Sequence, residues 1–312
     1  LYNGENKRGG AAISYYINRP SEKKKEEEPK GKKKKRRKKK ATPKQVQGDK
    51  KEEKPKVKYD SIKLEIYDGT RLIRTLKRKA PKENGVHKLY WRMDEKGVGR
   101  PSRTIRKQRN EPGGVRVKPG TYRLKMSFGD QTAETEIKVE FDPRLKMSTA
   151  AINEIYNASK DMEKDQQVMA DAVKQLVESK NIANGMKTKL SKEDAKAGKD
   201  DKKYKDHIKA SKDIVKEIDK LMALFLGKVD RRQGITRNPE VTIMQRYFNA
   251  RRYVGSRYGN LTATERQLMK QYKDAMNDAL QKINAFFDKD WKDYRTKVEN
   301  INISPFKETK KF

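Results

Sequence analysis

Two histidines, His87 and His207, are the only imidazoles in 312 residues. Neither sits where chemistry would use it. A Ser-His-Asp relay needs groups that converge on one point. His87 falls in a stretch of strand alternation, whereas His207 lies near Asp201 and Asp206 at the charge-rich start of a helical stretch, where a solvated face accounts for it. Zero Cys removes disulfides, Cys-based zinc sites and thiol nucleophiles. No HExxH, Walker A or GxGxxG spacing occurs. Asp288-Lys289-Asp290 lacks the spaced carboxylates and turn glycine of a calcium loop. Asp213 with Lys216 and Glu217, and Glu217 with Lys220, stand at helical spacing and predict surface ion pairs. No residue is therefore assigned as catalytic, cofactor-binding or metal-ligating, and no cofactor is implied. What remains is electrostatic. The run Lys32, Lys33, Lys34, Lys35, Arg36, Arg37, Lys38, Lys39 and Lys40 is the candidate polyanion-binding segment. Clustered Lys and Arg release counterions from phosphate or sulfated chains without reading sequence.

That run belongs to a wider imbalance. The chain carries 79 Lys+Arg against 44 Asp+Glu, a formal charge of +35, with 33% hydrophobic and 39% charged residues. Residues 20–58 hold 19 basic and 7 acidic residues, so +12 of the +35 sits there and the rest is spread elsewhere. Self-repulsion together with Pro20, Pro29, Pro43 and Pro55 predicts a disordered insertion. Glu26-Glu27-Glu28 can partly neutralise it, and no aromatic is interleaved for base stacking. A solvated insertion is thus the reading to set beside polyanion binding. No window reaches the roughly 18 consecutive apolar residues of a membrane-spanning helix. The opening on Leu1 rather than Met leads to the expectation of a fragment whose export signal lies upstream.

The elements follow from periodicity. Ala11 to Ile17 is strand-like and can supply a first strand, with the Lys-rich segment inserted behind it. Ile62, Leu64 and Ile66 alternate with polar residues, Asp68-Gly69 turns, and Leu72 to Leu76 resumes, which predicts a hairpin. Val86 to Trp91, Tyr122 to Met126 and Thr132 to Val139 alternate in the same way, so an antiparallel sandwich is expected. Asp94 to Gly114, rich in Gly and Arg, reads as a long loop at one end of it. From Met147 the period becomes helical, with Ser148 or Thr149 as cap and Met162, Met169, Val173 and Leu176 on one face. Ser191 to Lys202 reads as a polar break. A second helix runs from Ile208 to Leu226 with Gly227 at its end, and a short helical piece surrounds Val241 to Tyr253. A third long helix opens on the capping box Thr262-Ala263-Thr264-Glu265. Three long amphipathic helices predict an antiparallel bundle, with the Met and aromatic stripes as its core.

These pieces, in this order, resemble a known family. Leu1 to Asn6 followed by Gly10 to Tyr16 resembles the sequence leaving the β-propeller of bacterial sortilin-like, Asp-box (BNR) repeat proteins, many labelled glycosyl hydrolase or sialidase-like. Asp68-Gly69 with Ile73 to Leu76, Gly85 to Trp91 and Val117 to Tyr122 looks like the Ig-like module of those proteins. Asp142-Pro143-Arg144, Arg232 to Ile235 and Lys282 to Phe287 resemble their C-terminal helical region. No Ser-x-Asp-x-Gly-x-Thr-Trp repeat occurs in this sequence, so the propeller, where the family's catalytic or ligand site would lie, is expected upstream of Leu1.

The expected organisation is an α+β multidomain chain. Residues 1–19 form a post-propeller segment and first strand, 20–58 a Lys/Glu-rich insertion, 59–141 an Ig-like β-sandwich, and 142–312 a helical bundle. The resemblance implies a non-catalytic accessory region of a secreted or cell-envelope protein. Its partner would be the upstream propeller of the same polypeptide, with polyanion binding through Lys32–Lys40 as the alternative.

Overall fold

The computed structural model describes residues 9–19, 59–105, 107–108, 110–197, 203–229 and 240–301. The chain combines helices with antiparallel sheets. It divides into two compact units, one of Leu1–Arg92 with Arg123–Glu136, the other of Met93–Tyr122 with Ile137–Phe312.

The first unit is built from strands. β1 (Ala11–Ile17) pairs antiparallel with β4 (Gly85–Trp91), Ala11 opposite Trp91 and Ile17 opposite Gly85. A four-stranded sheet has the order β3-β2-β7-β8, from β2 (Ser61–Asp68), β3 (Arg71–Lys79), β7 (Gly120–Phe128) and β8 (Gln131–Val139). The β2–β3 hairpin turns at Gly69, whose φ of 58° is the left-handed conformation that a residue without Cβ adopts at low cost. Alternation decides which side is buried: Ile62, Leu64 and Ile66 are at most 1% exposed, while Lys63, Glu65 and Tyr67 face outward. Ile17 from β1 joins Ile62, Ala80 and Phe128 in one apolar cluster, with Tyr15, Tyr59 and Met126 against it. Ile17 and Tyr15 of β1 therefore contribute to the core of this unit. Lys63 stands directly opposite Lys77 on the outward face, and Lys63 is drawn to Glu65 at 3.0 Å.

In the second unit α1 (Thr149–Ala197) runs 49 residues. Ser148 starts it, its hydroxyl accepting the Ala151 N–H at 3.1 Å. The expected polar break is absent as far as Ala197. Lys192 and Glu193 continue the helix because residues of that kind favour it, and their polarity records solvent exposure rather than a chain break. Gly198 lies outside the described residues. α2 (Lys205–Leu226) ends at Gly227, α3 is Ile243–Gly255, and α4 (Ala263–Phe286) passes through a π-helical turn, Phe287–Trp291, into α5 (Lys292–Glu299). Met162, Met169, Val173 and Leu176 of α1 share one core with Ile218, Met222 and Phe225 of α2, Tyr247 of α3, and Tyr272, Met276 and Ile283 of α4.

Met93–Tyr122 groups with the helices, where the sequence placed Asp94 to Gly114 as a loop of the β domain. It contains a small antiparallel pair, β5 (Asp94–Lys96) and β6 (Gly113–Arg116), and β6 lies against α1. Gly97 is forced by contact, since a Cβ there would stand 2.3 Å from the Gly113 carbonyl oxygen. Strands of three and four residues are too short to show alternation, and contacts distant in sequence hold them in place.

Candidate anion-binding cleft

One face of α1 carries a file of polar residues at helical spacing, Tyr156, Lys160, Glu163 and Gln166. They meet the β5–β6 segment. The Tyr156 hydroxyl donates to Glu95 Oε1 at 2.5 Å, and Lys160 Nζ lies 3.3 Å from Glu95 Oε2 and also binds Glu163. Glu95 and Glu163 are 5% and 9% exposed, so a shared ammonium between two carboxylates offsets most of what burial costs them. Lys118 adds a second cation, 5.0 Å from the Tyr156 ring centre, and donates to Asn153 Oδ1 at 3.2 Å.

Gln166, 3% exposed, continues the file and fixes the next stretch of chain. Its amide nitrogen donates to the carbonyls of Val98 (3.3 Å) and Gly99 (2.8 Å), and its oxygen accepts from Arg251 Nη1 of α3 at 3.2 Å. Arg103 donates to the Gly227 carbonyl at the end of α2, where a cation is favoured by the helix dipole. Arg100 stacks 5.1 Å from the Phe248 ring centre, and Gly97 N–H bonds the Pro112 carbonyl at 2.9 Å. These anchors fix the segment, and its described residues border a cleft of about 820 Å³ against α1. Among the described residues, Arg100, Lys174 and Arg251 line it with one carboxylate, Asp171, which accepts from Gln167 at 2.8 Å. The arrangement can hold an anion. A second depression of about 440 Å³ lies between α2, α3 and α4, with Lys228 bonding Glu240 at 2.7 Å.

The other face of α1 positions buried tyrosines. The Tyr272 hydroxyl donates to Asp165 Oδ2 at 2.7 Å, and Tyr247 packs edge-on to Tyr272 at 5.4 Å. Burial pushes the Tyr247 hydroxyl up to about 12, the nearby Arg251 opposing, and burial together with the Asp165 carboxylate raises Tyr272 further. A phenol with a raised folded pKa adds stability that is fully present below its unfolded value near 10 and is lost as pH rises through the folded value. The helical unit is thus expected to lose stability from about pH 10 upward. Tyr247→Phe should flatten that loss in urea melts taken between pH 9 and 11.5, and an unchanged slope would dissociate Tyr247 from it.

The residues singled out from sequence are dispersed. His87 lies in β4 of the first unit, Nε2 3.0 Å from the Glu83 carbonyl oxygen, and His207 lies in α2 of the second. Ser211, one turn beyond His207, is fully buried and committed to the His207 carbonyl (2.9 Å) and the Tyr294 hydroxyl (3.0 Å). Lys216–Asp213 at 3.1 Å and Lys220–Glu217 at 2.6 Å form the expected surface ion pairs. Asp288 and Asp290 are exposed on the π-helical turn. Among the described residues no group of three or more His, Asp or Glu is placed to hold a metal, and no helix is long and apolar enough to cross a membrane. Lys32–Lys40, Leu1–Asn6 and Arg232–Ile235 lie outside the described residues. Sequence reasoning missed the cleft. Its only linear trace is the basic content of 98–112, where Arg100, Arg103, Arg106, Lys107 and Arg109 crowd a stretch with no period.

Comparison with protein-family models, with curated proteins and with solved structures gives no match to this chain.

Proposed function

We propose that this chain is a non-catalytic accessory region, an Ig-like sandwich followed by an antiparallel helical bundle, that supports an upstream sortilin-like β-propeller in a secreted or cell-envelope protein. The observation that supports it best is how the buried acids are used. Glu95 and Glu163 clamp one ammonium to dock β5–β6 on α1, and Asp165 receives the Tyr272 hydroxyl. These carboxylates position chain rather than face a cavity. The core contributed by Ile17 indicates that 1–19 must accompany any fragment tested. Residues 1–312 are expected to fold and to give no turnover of aryl glycosides or aryl sialosides; hydrolysis that survives repurification would overturn this reading.

A second reading is favoured by the +35 charge, of which +12 lies in 20–58: polyanion binding through Lys32–Lys40. It predicts retention of long heparin or DNA chains that fades steeply with salt. Deleting 21–58 should shift elution from immobilised heparin to distinctly lower salt, and unchanged elution would remove the segment from that role.

A further inference from the structure

The cleft between residues 98–112 and α1 has the size, rigidity and charge of a ligand site. At about 820 Å³ it lies within the roughly 300–1,000 Å³ usual for such sites. Its walls are pre-formed, because Gln166 binds two backbone carbonyls of the segment, Arg103 fastens the segment to α2, and Arg251 braces Gln166 from α3. Among the described residues three cations and one carboxylate line it, and Lys174 also lies 3.9 Å from Glu178, so an entering anion would meet a net excess of positive charge. Two of those cations are arginines, whose edge donors match carboxylate and sulfate oxygens in pairs. Arg100 also lies over the Phe248 ring, 5.1 Å from its centre, a cation–π contact.

The lining also sets the chemical class. Ser102, Thr104 and Gln108 supply hydroxyl and amide groups suited to a ligand rich in hydroxyls. Among the described residues no aromatic side chain lines the cleft, so they offer no stacking platform of the kind that single-stranded nucleic acids require. We propose that this cleft binds an acidic oligosaccharide, its carboxylate or sulfate groups held by Arg100, Lys174 and Arg251 and its hydroxyls by Ser102, Thr104 and Gln108. The proposal goes beyond the accessory role and is independent of Lys32–Lys40, since it assigns the ligand to a built cleft of the helical unit.

The test is calorimetric titration of the full 312-residue chain with a heparin-derived hexasaccharide and with a galacturonate hexamer, at low ionic strength. The double variant R100Q/K174Q, whose side chains are both exposed, should weaken binding by roughly 10-fold or more. Ser102→Glu, which adds a carboxylate at the cleft, should weaken it comparably. Binding of the sulfated hexamer alone would make sulfate the recognised group, binding of the galacturonate alone would make it carboxylate, and either supports the site. Deletion of 21–58 should leave hexasaccharide affinity within about threefold, because the proposal assigns so short a ligand to the cleft alone. Failure of either hexamer to bind would overturn the proposal, as would equal affinity for a single-stranded hexanucleotide. So would folded variants, judged by circular dichroism, that bind like the parent, or loss of hexamer binding on deleting 21–58 alone. None of these outcomes bears on glycoside turnover, so the accessory reading stands or falls separately.

Discussion

Phe225→Ala should lower the stability of the helical unit by about 3–5 kcal/mol, the range for truncating a fully buried aromatic side chain. Phe225 is 0% exposed and shares a core with Ile218, Met222 and Tyr247. Its loss removes a ring's worth of apolar contact and leaves a void that the surrounding helices can only partly close. The site also sits two residues before Gly227, whose carbonyl receives Arg103. Slackening the end of α2 should therefore reach residues 98–112, and the cleft should lose ligand affinity along with stability. Urea denaturation followed by far-UV circular dichroism would measure the first effect. Val229→Ala, at a site 60% exposed, should stay within about 0.5 kcal/mol of the parent. Equal midpoints for the two variants would place the core elsewhere.

Lys160→Met is the second large effect, and it acts through charge. The methionine fills much of the space of the lysine stem but strands Glu95 and Glu163 without their shared cation. Breaking a buried pair costs about 3–5 kcal/mol, and the 28% exposure of the Lys160 side chain moves the expectation to about 2–3 kcal/mol. Lys160→Met with Glu95→Gln should recover part of the loss, because one of the two carboxylates that lost the ammonium is then neutral. A single-variant loss that the second substitution does not relieve would show that the cost is packing and not charge.

The contrast between these sites and the rest of the chain explains what a reader of the sequence could foresee. α4 was legible because Thr262 and Glu265 interact within four residues, and the Glu265 side chain does accept the Thr262 N–H at 2.8 Å. Thr242 and Gln245 make the same reciprocal bonds at the start of α3, at 2.9 and 3.2 Å, and the same short-range grammar could have placed that start. The β2–β3 hairpin was legible because burial on one face imposes alternation. Residues 93–117 were not, because what holds them lies more than sixty positions away, at Tyr156, Lys160 and Gln166. The Met93 backbone, at φ 56°, leaves no trace in residue type either, since Met has no preference for that conformation. The cleft inherits this opacity. A site made by docking a segment without period onto a helix has a composition that can be read and a shape that cannot.

The floor of that cleft has a further property. Gln166, Ala170 and Lys174 follow one another along α1 at intervals of four residues, and the helix advances about 5.4 Å per turn. Over these two turns the floor offers three positions along about 12 Å, each carrying a different side chain. A ligand that is itself a regular polymer can therefore run in step with the helix while its successive units meet different groups. Recognition of this kind favours length and repeat over any single terminal group, so the affinity of a homologous series should climb with each added unit until the floor is filled and then level off.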